Sequence, residues 1–265
     1  KPIAFNYGQI IVDECHHLSA PSYEFLLSEV SPYYILGLTA TPERQDGHQP
    51  IIFMQAGSIA YKAKSNNHTQ LKKVLIKVNY EGEFPEIFFG TENKPHISKL
   101  MQHLTEDTER NNAIIKDVSH CIQNGQIPLI LTERRKHAEN LRNKLNDLGY
   151  KTSILQGGMS HTKNIKEKQN LDDAHVVIAT GKYIGEGFDL PRLDTLFLAF
   201  PISWKGTLAQ YVGRIHRSNE GKFEVQVYDY VDVNHPIFVK MFQRRSKSYK
   251  ALGYIVEQSH NNIVL

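Results

Sequence analysis

Short apolar runs and amphipathic stretches take turns along most of this 265-residue chain, and that alternation limits the folds open to it. Pro128 to Leu131, Val176 to Ala179 and Thr195 to Ala199 are nearly continuous in aliphatic, β-branched and aromatic residues. Such runs suit strands buried on both faces, as in parallel sheets. Between them, apolar residues recur three and four positions apart. Ile114, Ile115, Val118, Cys121 and Ile122 form one such series, and Ala138, Leu141, Leu145 and Leu148 another, ended by Gly149. That is the period of a helix with one face turned inward. Parallel neighbours need a crossover connection, so the pattern predicts an α/β fold of parallel sheets flanked by helices.

The same reading predicts strands at Gln9 to Val12, Tyr33 to Leu38, Val74 to Tyr80, Thr152 to Leu155 and Glu224 to Tyr230. Tyr23, Leu26, Leu27 and Val30 mark a helix with Pro21 in its first turn. Asn234 and Pro236 open a last helix carrying Phe238, Phe242, Tyr249 and Leu252, closed by Gly253. Residues 39 to 62 read as loop-rich and residues 81 to 100 as irregular. The polar stretch Ser65-Asn66-Asn67-His68 reads as a linker. It divides the chain into 1–66 and 67–265, the first being small for a core of its own.

Hydrophobic residues make up 40% of the chain and charged residues 22%, which excludes a disordered chain. A net charge of +3 is too weak a bias to indicate nucleic acid by itself, so any basic surface must be local. Two cysteines, Cys15 and Cys121, exclude a disulfide framework and fit a reducing, cytoplasmic setting. No apolar run approaches the length of a membrane span, and no membrane partner is expected.

Residues 11 to 17 read Ile-Val-Asp-Glu-Cys-His-His and admit three readings. A zinc site would need spaced ligands, whereas Cys15, His16 and His17 are consecutive and fan apart. A polar loop after a strand is the plain alternative. The third reading is phosphate chemistry. A strand ending in Asp-Glu sets two carboxylates at the carboxyl edge of a parallel sheet, where open α/β folds bind ligands. There Asp13 would hold a hydrated Mg2+, and Glu14 would orient or deprotonate the attacking water.

More motifs follow in order. Leu38-Thr39-Ala40-Thr41-Pro42 ends one strand, and Ile178-Ala179-Thr180-Gly181 ends a later one. Gly185-Glu186-Gly187-Phe188-Asp189 comes next, then Gln210-Tyr211-Val212-Gly213-Arg214-Ile215-His216-Arg217. Asp-Glu-Cys-His, Thr-Ala-Thr, Gly-Glu-Gly-Phe-Asp and Gln-x-x-Gly-Arg-x-x-Arg in this sequence resemble a superfamily 2 DExH helicase. Within that superfamily the pattern resembles DNA repair translocases and restriction-enzyme helicase subunits. The resemblance runs from about residue 9 to 231.

The resemblance implies two RecA-like lobes with ATP in the cleft between them. Asp13 and Glu14 match the carboxylates that serve Mg2+ and the attacking water. His16 matches a position that communicates with Gln210. Thr39 and Thr41 match the element that couples hydrolysis to lobe movement. Gly185, Gly187 and Asp189 match a stretch that reaches the nucleotide. Arg214 and Arg217 match the arginine fingers, read here as a pair three apart on a helix. A planar guanidinium suits a phosphate fork. Gly213 would let that helix approach the nucleotide closely.

The resemblance also implies a nucleic-acid partner, DNA before RNA, held by its phosphate backbone with little sequence preference. The matching stretches are Thr132-Glu133-Arg134, the Gly157-Gly158 turn and Thr180-Gly181, each able to offer backbone N–H groups or Thr hydroxyls. Lys240, Arg244, Arg245, Lys247 and Lys250 on the last helix read as a solvated face.

One part is missing. The sequence holds no G-x-x-x-x-G-K-[ST] loop: Gly181-Lys182 is followed by Tyr183 and Gly221-Lys222 by Phe223. The chain is therefore expected to be a C-terminal fragment, partnered in its parent by the missing N-terminal part and inactive as an ATPase alone. A non-catalytic nucleic-acid-binding module and a metal-dependent hydrolase are the competing readings.

Overall fold

The computed structural model describes residues 7–15, 18, 21–39, 49–62, 71–79, 96–184, 190–202, 205–217, 219 and 222–258. The chain divides into two compact units, Lys1–His68 and Thr69–Leu265.

In the first unit, β1 (Gln9–Val12) pairs in parallel with β2 (Tyr34–Gly37), Val12 lying opposite Gly37. Helices α1 (Pro21–Ser28) and α2 (Gln49–Ala56) accompany them. The core is small: Cys15, Leu18 and Ile52, joined by Val12, Leu27 and Ala56. Cys15 packs against β2, and a Cβ at Gly37 would lie 2.8 Å from its Sγ. Burial pushes this thiol up, out of the thiolate range, so it behaves as a small core hydrophobe. Two strands bury little. Tyr34 is 72% exposed and Ile11 59% exposed. The helix over Gln49–Ala56 stands where the sequence reads as loop. Its apolar residues fall in one block, Ile51 to Met54, without helical period, so pattern did not mark it.

The second unit is a seven-stranded sheet of order β5-β6-β4-β7-β8-β3-β9, parallel throughout. Its strands are β3 (Leu71–Asn79), β4 (Pro128–Thr132), β5 (Thr152–Leu155), β6 (Val176–Thr180), β7 (Thr195–Leu198), β8 (Glu224–Asp232) and β9 (Ile255–Gln258). The helices are α3 (Ile97–Glu106), α4 (Thr108–Gln123), α5 (Arg135–Asp147), α6 (His161–Gln169), α7 (Gly181–Ile184), α8 (Lys205–Ile215) and α9 (Pro236–Ala251).

Successive strand residues point to opposite faces, and each face has its own core. Leu129, Leu131, Val177, Ala179 and Leu196 pack with Leu208, Val212 and Ile215 of α8 and Phe242 and Tyr249 of α9. Ile130, Ile178 and Phe197 pack with Ile114, Val118 and Cys121 of α4 and Leu141 and Leu145 of α5. Phe197 stacks on Tyr228 with ring centroids 4.3 Å apart. Leu148 is not part of this core: it caps the end of α5 and stays exposed, with Gly149 following at φ +84.

Two elements depart from the sequence reading. Helix α3 begins inside the stretch read as irregular, and it buries a trio, Leu100, Met101 and Leu104, in a cluster with Phe200 and Phe238. Strand β9 is a four-residue edge strand whose pairing is with β3, far away in the chain. Among the described residues no helix is long and apolar enough to cross a membrane.

Candidate functional site

Parallel pairing of β1 and β2 brings their carboxyl ends together. Leu38 N–H donates to Val12 O and Cys15 N–H to Leu38 O, both at 2.9 Å, so Asp13, Glu14 and Thr39 share one sheet edge. Asp13 is exposed, and its Oδ1 accepts from Glu14 N–H at 2.9 Å. Glu14 has φ +51, the one non-glycine residue in the left-handed region among those described. For a side chain bearing a Cβ that conformation costs about 1–2 kcal/mol, and such strain gathers at functional positions. An exposed carboxylate beside a half-buried one is an all-oxygen donor set. It suits a hard cation such as Mg2+, with Asp13 as the residue to hold it through water.

The second unit gathers its candidates at another edge. Strands β5, β6 and β4 are consecutive in the sheet, and Thr132 lies opposite Thr180 while Leu155 lies opposite Ala179. The loops after all three therefore emerge side by side. Arg134 starts α5 with no side-chain cap, and its guanidinium reaches Ser98 Oγ at 3.4 Å. Ser160 caps α6, accepting from Lys163 N–H at 3.3 Å. Helix α7 starts at Gly181, directly after β6.

Within this edge the roles of individual residues differ from the sequence expectation. The hydroxyl of Thr132 is turned inward, 2.8 Å from His137 Nδ1. Gly157 meets nothing a Cβ would strike. Its neighbour Gly158 has φ +78, and the Arg135 guanidinium lies over it, 2.7 Å from where a Cβ would stand. Gly181 is closely covered: a Cβ there would lie 2.0 Å from Tyr211 Oη and 2.1 Å from Glu133 Oε1. Tyr211 itself donates to Glu133 Oε1 at 3.1 Å.

Helix α8 carries Gln210 and Arg214, both half-buried. Arg217 lies two residues beyond its last turn and is exposed, so the two arginines do not share a helix face. The segment is held from two sides. His216 Nε2 pairs with Tyr254 Oη at 2.6 Å, and the rings stack. Lys222 Nζ donates to the carbonyls of Arg217 at 2.9 Å, Pro191 at 3.0 Å and Leu193. Burial lowers the Lys222 pKa to about 8, with Asp194 acting against it. Among the described residues nothing beyond its own helix lies within 4 Å of where a Cβ would stand at Gly213.

His16, Thr41, Gly185, Gly187 and Asp189 lie outside the described residues. Sequence reasoning did not single out His137 or Lys222, and it named Glu133 only inside the stretch Thr132-Glu133-Arg134, without its pairing to Tyr211. It also placed Arg245 on a solvated face. Arg245 is buried instead, with Nε and Nη2 each 2.7 Å from Asp229 and Nη1 donating to Ile202 O.

A parallel sheet with phosphate-type loops at its carboxyl edge, backed by an arginine-bearing helix, is the architecture of a RecA-like lobe. Comparison with known proteins agrees. The family model of the type III restriction enzyme res subunit matches residues 2–44, and that of the helicase conserved C-terminal domain matches residues 95–219. A protein of Acanthamoeba polyphaga mimivirus that bears the name of an ATP-dependent RNA helicase is 28% identical over 259 residues, covering 96% of this chain and 49% of the relative. The fowlpox virus transcript termination protein is 26% identical over 244 residues, covering 86% and 51%. Among solved structures, Saccharomyces cerevisiae Dbp5 bound to RNA and ADP BeF3 has a TM-score of 0.63 at 13% identity, covering 94% of this chain and 59% of that one. T4 UvsW has a TM-score of 0.54 at 18% identity, covering 98% and 56%. In sequence and in fold the chain is thus similar to helicases of superfamily 2. It spans about half the length of the curated relatives it matches.

Proposed function

We propose that this chain is part of a nucleic-acid-dependent ATPase that moves along, or unwinds, DNA by gripping its phosphate backbone. The observation that carries the reading is the grouping of three strand-end loops, after β5, β6 and β4, on one edge of the sheet whose α8 supplies Arg214. Backbone N–H groups at the starts of α5, α6 and α7, with Arg134 beside them, read phosphate and not base. The match of residues 2–44 to a restriction-enzyme subunit favours DNA.

In the reaction, Glu14 orients the attacking water and accepts its proton, and Arg214 and Arg217 stabilise charge developing on the transferred phosphoryl group. Asp13 would hold Mg2+, which when bound neutralises charge on the triphosphate. Gln210 and His16 sense the nucleotide, Thr39 and Thr41 relay its state, and Gly185, Gly187 and Asp189 approach it. Thr132, Arg134, Gly157, Thr180 and Gly181 form the strand-binding edge, the Thr132 hydroxyl acting by fixing the loop. The cradle for the β- and γ-phosphates comes from outside these 265 residues, so the chain alone hydrolyses ATP negligibly.

Steady-state phosphate release by the full-length parent, with and without single-stranded DNA or RNA, tests this. Stimulation by DNA, lost in Glu14→Gln, is expected. Stimulation by RNA alone would move the substrate to RNA, and none by either strand would refute the motor.

A further inference from the structure

One hydrogen bond touches both sets of candidate residues in the second unit. Tyr211 follows Gln210 on α8 and precedes Arg214 by three positions. Its ring is buried in the core that also holds Leu131, Ala179 and Leu198 of the sheet, and its hydroxyl lies 3.1 Å from Glu133 Oε1 at the carboxyl edge. Glu133 stands between Thr132 and Arg134 in the loop after β4. The bond passes directly over Gly181, the residue that follows β6. A Cβ at that position would overlap both oxygens, so only a glycine admits the contact. Three elements therefore meet in one place: the arginine-bearing helix, the loop after β4 and the loop after β6.

The chemistry of the pair is asymmetric. Burial and the neighbouring carboxylate hold the Tyr211 phenol well above its usual range, so it remains a donor wherever the protein is folded. A phenol donating to a carboxylate makes a charge-assisted bond, stronger than a neutral one. Glu133 is a carboxylate at an edge that otherwise offers N–H groups and guanidinium. A phosphate arriving at Arg134 or at the Thr180–Gly181 turn repels that carboxylate and attracts its neighbours. Glu133 thus registers the strand electrostatically, and the atom it holds belongs to α8.

Resting on the motor reading above, we propose that Tyr211 is a positioning residue: through Glu133 it transmits occupancy of the strand-binding edge to the Arg214–Arg217 segment. It touches neither nucleotide nor strand. Its effect is on how far a bound strand accelerates hydrolysis, and not on either binding step.

The test uses the full-length parent and measures the ratio of ATPase rates with and without saturating single-stranded DNA. Tyr211→Phe keeps the ring in its core site and removes only the hydroxyl, so the fold persists, as a melting curve checks. The ratio is expected to fall about tenfold, with strand affinity by fluorescence anisotropy changed less than twofold. Glu133→Leu should fall as far, and Glu133→Gln, which still accepts from the phenol, should recover at least half of the wild-type ratio. In the double variant Tyr211→Phe/Glu133→Leu the losses should not multiply, as for two halves of one contact. A wild-type ratio in Tyr211→Phe, or losses that multiply, overturns the coupling while the motor stands. A wild-type protein that no strand stimulates overturns both.

Discussion

The ring of His137, on α5, accepts the hydroxyl of Thr132, at the end of β4, across 2.8 Å. Its other nitrogen lies 2.8 Å from Asn111 Oδ1, and Asn111 Nδ2 donates to Thr105 O at 2.9 Å. That orientation places the ring proton on Nε2 and leaves Nδ1 as acceptor. Arg134 N–H donates to the same Thr132 hydroxyl at 3.3 Å. A chain of hydrogen bonds thus runs from the strand-binding loop into α4 and α3, and it requires a neutral imidazole.

Acid should destabilise the fold through it. Burial, and then the charge of Arg110, lower the His137 pKa to about 3. Between its ordinary value of about 6.5 and that value the unfolded chain binds the proton and the folded chain does not, so stability falls as pH falls through this window. Urea melts at pH 7.5 and 4.5 should differ by about 2–3 kcal/mol more for the wild type than for His137→Gln, given ~1.4 kcal/mol per pH unit. An equal pH dependence in the two proteins would show that His137 is not the sensitive group.

Lys222 ties the carbonyl of Arg217 to those of Pro191 and Leu193. Lys222→Met removes all three donations and should slow hydrolysis by the parent protein about 10- to 100-fold, as expected from the ~1.5–3 kcal/mol of a charged hydrogen bond. Lys222→Arg should restore part of it. The pH dependence separates rate from stability. With its folded pKa lowered to about 8 from 10.5, the group is deprotonated in the fold before it is in the unfolded chain, so its contribution to stability rises between those values. The rate should nevertheless fall as pH rises through about 8, because the neutral amine donates less. A rate profile identical in Lys222→Arg and wild type up to pH 9.5 would count against this.

Arg245 gives a contrast on α9. It is fully buried, bidentate on Asp229, and Tyr249 donates to the same carboxylate at 2.8 Å. Removing one partner strands the other charge, which costs about 3–5 kcal/mol. Arg245→Met should therefore destabilise by that amount in denaturant melts. Arg244→Ala and Lys247→Ala, exposed on the same helix, should each stay within about 0.5 kcal/mol. Similar losses at all three positions would mean that the helix as a whole, and not the buried pair, is being disturbed.

Arg245 also shows where reading the chain residue by residue stopped. Five basic residues on one helix look alike until the fold sets Asp229 beneath one of them. The strands were legible because a parallel sheet buries both faces, and Val176–Thr180 has no polar alternation to misread. Asp13 and Glu14 followed from the same logic, since carboxyl edges are where such sheets bind ligands, whereas the strand-end stretches of the second unit were named only through the family resemblance. Strand β9 was not legible, because Ile-Val-Glu-Gln gains its identity only from β3. Tyr211 stood in the sequence only at an unassigned position of the Gln-x-x-Gly-Arg-x-x-Arg motif, and its hydroxyl acquired meaning only when β4 and β6 brought Glu133 and Gly181 to it.

Glu14 carries the last expectation. Its backbone sits at φ +51, where a Cβ is strained and glycine is not. Its carboxylate is the proposed orienter of the attacking water. Stability and chemistry therefore make opposite demands on one residue. Glu14→Gly should relieve the strain, raising stability by about 1 kcal/mol after the extra freedom of an unfolded glycine is set against it. The same change in the parent protein should lower strand-stimulated hydrolysis by at least two orders of magnitude, consistent with loss of a positioned general base at ~10²–10⁴-fold. Glu14→Gln keeps the strained backbone and should lose the activity without the gain in stability. Thermal melts of the two variants against wild type separate the effects. If Glu14→Gly were less stable than Glu14→Gln, the left-handed conformation would not be a source of strain, and the positive φ would carry no functional meaning.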